Sequence, residues 1–536
     1  MSKIKKLLAI VLSLAMIMGM SLTTFAADNI VGNSDDVGTI TVNGITPEDG
    51  IAVTAYQIVE AQYDQTTDAF TGYNALYDSI DDSGDIVAPD DIDQDTLNSI
   101  LADIRGNNPT VDPARSYTMT STNGTSYSAE VPVGTYLVVI ENAETKVYNP
   151  VVVSVSYVNA EGGNDLSEGI VGISDNNNAW VKVSDVPNVD KSVSDADDEK
   201  DQNGNSVNVG DTVTYKVTIN PIPNYGGDHP VLNVVDTLSA GLTYQGNVKV
   251  EIQTAAGVSV DELDEDTHFT LTPGRTAEGL DTITVDFVVG GEYTLNSFTG
   301  NNYKVVITYD AIVNNNAVVN AGGNNNDVIL NYTTDSKTTG HNDTDEDKTY
   351  TYTFDIDGST TGTKEIITKV GEGEDKEALS GALFGLYTDR SCDEDDLYTN
   401  NVFTGTVTSD KEGQLYISGL AAGTYYLKEI SAPDGYSVNT HVFEIVISAS
   451  YNPDGTLASW KVTIDGTEEA SFTVDHTSGI PVTTPDIDGV DIKNTHLSSL
   501  PSTGGMGTTI FTIGGCVIMI AAAGLYFTSR RRQENK

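Results

Sequence analysis

Apolar and polar residues alternate over short runs of this chain. From Thr212 to Ile219, Val213, Tyr215, Val217 and Ile219 fall on one face, with the threonines and Lys216 on the other. A period of two marks a half-buried strand. Val151–Tyr157 and Val442–Ile447 read as further strands, and clusters of Gly, Asn and Asp separate such runs. One helix is expected over Asp95–Ile104, opened by Asp93 or Asp95 as its cap. Many short strands between turn clusters predict an all-β chain of tandem, immunoglobulin-like sandwich domains.

The same period puts ionisable residues on apolar faces. Lys191 sits between Val189 and Val193, Asp236 between Val234 and Leu238, and Asn326 precedes Val328, Leu330 and Tyr332. Further on, Lys369 shares a face with Ile367, Glu429 with Tyr425 and Leu427, and Asn494 with Val490 and Ile492. A Lys, an acid and an Asn thus point toward a core twice, in the same order. Burial lowers the amine's pKa and raises the acid's. A neutral amine can attack the Asn side-chain carbon, polarised by the acid at its carbonyl, and expel ammonia. The amide product is neutral and cheap to bury. The plainer alternative is a set of strand-end polar groups facing solvent. Asn320, Asn324, Asn325 and Asn331 lie close to Asn326 and remain alternatives to it.

Both ends look like processing signals. Lys3, Lys5 and Lys6 precede the apolar run Leu7–Met20, with Ala26 and Ala27 after it, which reads as a secretory signal peptide over 1–27. Near the other end, Ile510–Phe527 is uncharged and close to the roughly 20 residues of a membrane-spanning helix. Arg530, Arg531 and Arg532 follow it. Leu500, Pro501, Ser502, Thr503 and Gly504 stand before this segment. The five resemble the LPxTG sorting signal of Gram-positive wall-anchored proteins. That resemblance implies that a sortase cuts Thr503–Gly504 and passes the Thr503 carbonyl to an amine.

A second resemblance covers the chain between these ends. The run from Tyr426 to Tyr436, YLKEISAPDGY, resembles the E-box of Gram-positive pilins and related Cna B-type domains. Leu379–Phe384 resembles the segment after their reactive lysine, and Ile492-Lys493-Asn494 their terminal Asn strand. Val234–Tyr244 resembles the middle domain of fimbrial backbone pilins, and Gly134–Pro150 part of their first domain. The resemblance implies self-formed isopeptide bonds, Lys191 to Asn326 and Lys369 to Asn494, with Asp236 and Glu429 as catalytic acids. Each bond would join the first and last strands of its domain. It also implies a pilus subunit whose partners are sortase, neighbouring pilin subunits, peptidoglycan and host surface ligands. Family members often carry Tyr-Pro-Lys after a Trp, but here Asn188 follows Pro187. Lys182 is the candidate for the inter-subunit linkage, left exposed if Val181 and Val183 point inward. Lys191 is its rival.

Composition narrows the remaining classes. The chain has 536 residues, 27 Lys+Arg, 78 Asp+Glu and a formal net charge of −51. Such a charge repels phosphate, so nucleic acid is not expected as a partner. Six His and two Cys leave little for metal or redox chemistry, and no metal, cofactor or enzymatic turnover beyond the self-linking step is expected. Cys392 alone lies outside the membrane segment, so no disulfide is expected. The acidic runs Asp343–Asp347 and Asp393–Asp396 read as solvated loops rather than Ca²⁺ sites, and Asp335–Lys348 as a loop. The expected division is a signal peptide over 1–27, an N-terminal domain over 28–180, a middle domain over 181–357, a Cna B-like domain over 358–498, and the sorting region over 499–536. A monomeric wall-anchored adhesin is the alternative to a polymerised shaft subunit.

Overall fold

The structure is a computed structural model. It describes residues 32–497, except 78, 81–91, 93, 106–112, 160–165, 167–168, 171, 175–176, 196–201, 227–229, 336–342 and 357–365, and the backbone of 507–533. The expected signal peptide and Leu500–Gly504 lie outside the described residues. Strands dominate, and their buried side chains gather in three successive apolar cores.

The first core runs from Ile40 to Val181. Val37–Asn43 lies antiparallel to Ser126–Pro132 and parallel to Asn178–Trp180. Across from it a second sheet takes the order Phe70–Ala75, Ala52–Tyr63, Gly134–Glu141, Val151–Val155. The helix Gln94–Arg105 buries Leu97, Ile100, Leu101 and Ile104. That spacing is one face of a 3.6-residue period.

The second core lies between two sheets. One has the order Asn188–Asp195, Thr212–Asn220, Tyr303–Val313, Leu242–Thr254, Ser259–Glu262. The other has the order Gly204–Ser206, Asp343–Tyr352, Asn324–Tyr332, Leu232–Leu238, Asp281–Asp286, Thr270–Arg275. The expected loop over Asp335–Lys348 is therefore part strand, since Asp343–Tyr352 pairs along the whole of Asn324–Tyr332. Its carboxylates alternate: Asp343, Asp345 and Asp347 are half-buried, while Thr344, Glu346 and Lys348 face solvent. The inward acids have backbone donors to meet. Asp345 Oδ2 accepts from Val189 N and Asp347 Oδ2 from Lys191 N, each at 2.7 Å. Those N–H groups lie on the edge strand of the opposite sheet, so the acids seal an edge that would otherwise be unpaired.

The third core is covered by a seven-stranded sheet. Its order is Thr406–Thr408, Leu383–Tyr387, Gly423–Ser431, Val442–Tyr451, Leu457–Ile464, Thr467–Asp475, Val482–Ile487. Facing it are two pairs, Ile367–Gly371 with Val490–Asn494 in parallel, and Phe354–Ile356 with Ile417–Leu420. Tyr352, Phe354 and Ile356 are buried in this core, which thus begins before Gly358. A helix occupies Gly507–Gln533. Among the described residues no helix is long and apolar enough to cross a membrane. Side chains of this helix are described only over 511–525, where Phe511, Ile518 and Ile520 are exposed.

Candidate functional site

Parallel pairing builds the site in the third domain. Lys369 stands opposite Ile492 and Gly371 opposite Asn494, so the lysine and asparagine are diagonal neighbours. Both are inward-facing and buried. Glu429 reaches them from Gly423–Ser431, where Tyr425, Leu427 and Glu429 share the buried face. Lys369 Nζ donates to Asn494 Oδ1, and to Ile492 O at 3.2 Å. Asn494 Nδ2 donates to Glu429 Oε1 at 2.7 Å, and Glu429 Oε2 accepts from Asn439 N at 2.6 Å. Glu429 Oε1 also lies 3.8 Å from the amine. The acid was expected at the asparagine carbonyl, but it meets the amide nitrogen instead. The reason is the donor inventory: before it loses its proton the lysine is an ammonium with only hydrogens to give, so it takes the carbonyl oxygen and leaves the NH₂ to the carboxylate. Burial pushes the Lys369 amine down to about 8, against the partial compensation of Glu429.

The middle-domain site spans the two sheets of its sandwich. Lys191 projects from the edge strand of one sheet, and Asp236 and Asn326 from neighbouring strands of the other. Their register pairs Asp236 with Val328 and Leu238 with Asn326, which puts acid and amide diagonally on one face. All three are buried. Lys191 Nζ donates to Asp236 Oδ2. Burial pushes the amine down and the carboxyl up, each opposed by the other's charge. The stretch Asn320–Asn331 holds several asparagines, and the geometry separates them. Asn324 Oδ1 accepts from Val318 N, Asn325 bonds Asp327 and Asn331 bonds Asn233. Asn320 Oδ1 accepts from Asp355 N. Asn326 shares a hydroxyl with the lysine: Tyr309 Oη accepts from Asn326 Nδ2 at 2.6 Å and from Lys191 Nζ at 3.1 Å. Asn326 lies on Asn324–Tyr332, and Asp343–Tyr352 follows it in the same sheet, so the expected link of first to last strand does not describe this domain.

Tyr309 carries no local signal in the sequence. It falls in the alternation of Val305, Ile307, Ala311 and Val313, so it reads as one more core aromatic. Only the fold brings its hydroxyl to Lys191. Tyr215, opposite Tyr309 in register, adds a second ring 5.2 Å from the amine.

Lys182 lies elsewhere, between the first and second cores. Val181 is buried, but Val183 is exposed, because Val183–Asp185 leaves the first sheet to pair with Lys146–Tyr148. Lys182 itself is half-buried, its backbone carbonyl accepts from Asn149 N at 3.1 Å, and burial lowers its amine. Trp180 beside it is 63% exposed. Lys146 forms an ion pair with Asp185 at the same junction. Cys392 is buried and free, its thiol pushed up first by burial and then by nearby aspartates. Among the described residues no group of His, Cys, Asp and Glu is placed to hold a metal ion.

Three family matches tile much of the chain: a T6 antigen Ig-like domain over 35–183, a prealbumin-like fold domain over 364–475, and an LPXTG cell wall anchor motif over 492–536. The chain is homologous to the trypsin-resistant surface T6 protein of Streptococcus pyogenes serotype M6, 26% identical over 97% of this chain and 99% of that one. Among solved structures, the T6 backbone pilin of that serotype matches with a TM-score of 0.51 at 20% identity, over 87% of this chain and 99% of its own. The major pilin SpaD of Corynebacterium diphtheriae matches at 0.45 and 15%, over 87% and 99%.

Proposed function

Starting from a wall-anchored chain homologous end to end with a streptococcal surface protein, we propose that it is the shaft subunit of a sortase-built pilus, stiffened by two internal Lys–Asn amides. The carrying observation is the pair of buried lysines, each brought together with one acid and one asparagine, on a chain that ends in the LPXTG anchor. A charged amine without a purpose is expensive in such a place, since breaking a buried pair costs about 3–5 kcal/mol.

The reaction at the third domain uses the groups in contact. The neutral Lys369 amine adds to Asn494 Cγ, the Cγ–Nδ2 bond breaks, and the departing nitrogen takes the amine's proton through Glu429 and leaves as ammonia. An amide then closes a loop of 125 positions. Closing such a loop restricts the unfolded chain by about 4–5 kcal/mol. In the third domain the bond ties the first strand of the pair to the last, and in the middle domain it ties one sheet to the other. Tension along the shaft then passes through covalent bonds instead of hydrogen-bond ladders.

Assembly follows from the sorting motif. Sortase cleaves Thr503–Gly504 and transfers the Thr503 carbonyl to a lysine of the next subunit, for which Lys182 at the junction of the first two domains is the candidate. The final transfer goes to peptidoglycan, and contact with host surface ligands is a role of the finished fibre. A denaturing gel of wall extract tests this. A ladder of high-mass species that disappears in Lys182→Ala is the expected result. One band at monomer mass in the unaltered strain overturns polymerisation and favours a monomeric adhesin.

A further inference from the structure

The two buried sites hold the leaving nitrogen differently. In the third domain Glu429 Oε1 accepts directly from Asn494 Nδ2 at 2.7 Å, so the acid touches the nitrogen that departs. The ring over the amine there is Phe384, 5.9 Å away, which has no polar atom. In the middle domain Asp236 Oδ2 is engaged by Lys191 Nζ. No carboxylate meets Asn326 Nδ2. Tyr309 Oη does, at 2.6 Å, and the same oxygen lies 3.1 Å from Lys191 Nζ. One hydroxyl therefore bridges the attacking and the departing nitrogen.

We infer that Tyr309 is a catalytic residue of the middle-domain cross-link, relaying the proton from the Lys191 amine to the departing Asn326 nitrogen. The inference rests on the cross-linking reading above. Asp236 first takes a proton from the Lys191 ammonium. The amine lone pair then forms a bond to Asn326 Cγ, and the carbonyl electrons move to Oδ1. The attacking nitrogen now carries a positive charge. It gives one proton to Tyr309 Oη as the hydroxyl's own proton passes to Nδ2, so the tyrosine ends as it began. The Cγ–Nδ2 bond breaks, the carbonyl re-forms and ammonia leaves. A buried phenol suits this role, because burial holds Tyr309 protonated well above its usual range. A relay must always have its proton to give.

The experiment is Tyr309→Phe in the full chain expressed on its own cell surface. Peptide mass spectrometry at fixed times after synthesis reads the linked fraction of Lys191–Asn326, with Lys369–Asn494 in the same molecules as the internal reference. Loss of a general acid–base group predicts a slowing of about a hundredfold or more at the first link and no change at the second. A Lys191–Asn326 rate within about threefold of wild type overturns the inference. If the variant loses both links, the fold has failed. Fluorotyrosine incorporated at 309 then decides, since it alters the hydroxyl's acidity with little change in size. A changed rate at Lys191–Asn326 alone supports the relay, and an unchanged rate overturns it. A wild-type chain without any Lys191–Asn326 peptide would instead remove the cross-linking reading itself.

Discussion

Lys369 and Asn494 lie 125 positions apart in the chain and meet as diagonal neighbours across a two-stranded parallel pair, the amine on the side-chain carbonyl. Parallel pairing is what makes this possible. Both strands run the same way, so a lysine in the middle of one reaches an asparagine two residues beyond its partner. Glu429 closes the arrangement from the facing sheet.

Removing that acid separates chemistry from packing. Glu429→Ala leaves a buried lysine without its counter-charge and the amide without its proton relay. The variant is expected to be heavier than wild type by one ammonia, and less stable by about 4 kcal/mol or more. Intact mass and urea unfolding check both. A Glu429→Ala chain with the wild-type mass would end the assignment.

The lysine's low pKa has a sign that can be tested. In Asn494→Ala no cross-link forms, and the amine stays free. The folded chain sheds the Lys369 proton as pH rises past about 8, whereas the unfolded chain keeps it to about 10.5. The unfolded state therefore binds more protons across that window, and stability rises with pH through it. Below the window both states are protonated and the full cost of burying the charge is present. The gain is about 3 kcal/mol between pH 7.5 and 10.5. The cross-linked wild type has an amide there and lacks this component. Identical pH dependence of the two urea midpoints would show that Lys369 does not titrate as described.

The acidic strand Asp343–Tyr352 makes a third prediction. Asp347 Oδ2 holds Lys191 N at 2.7 Å. Asp347→Ala frees an edge N–H and is expected to cost about 1.5–3 kcal/mol, the range for a bond to a charged group. Hydrogen exchange at the Lys191 amide should quicken. Unchanged protection there would mean that the acid does not seal the edge.

Gly413 supports the reactive strand from the other side. Its carbonyl accepts from Lys369 N at 2.7 Å, its φ is +78°, and a Cβ would run into the Lys369 carbonyl oxygen. Gly413→Val is expected to displace Lys369 and leave a measurable unlinked fraction at Asn494. Complete cross-linking in that variant, read by peptide mass spectrometry, would argue that the strand tolerates the shift.

Much of the site was legible because strand periodicity is local. Whether a side chain faces a core depends only on its parity relative to apolar neighbours, so the inward aim of Lys191, Asp236, Asn326, Lys369, Glu429 and Asn494 could be read from a few residues around each. Local pattern misleads where it and sheet pairing part company. Asp343–Asp347 looks like a solvated acidic loop, and is a strand because Asn324–Tyr332 supplies a ladder and Val189 and Lys191 supply donors. Val183 looked inward by parity with Val181, but the chain changes sheets between them.

Strand class, inward faces and the anchoring motif are all written in residues near one another in the chain. Tertiary structure alone decided which groups meet. It put the Tyr309 hydroxyl between Lys191 and Asn326, gave Glu429 the amide nitrogen of Asn494, and made the middle-domain pair bridge two sheets. Those contacts join residues on different strands, 17 to 118 positions apart, and depend on strand order and register, which no short window of sequence encodes.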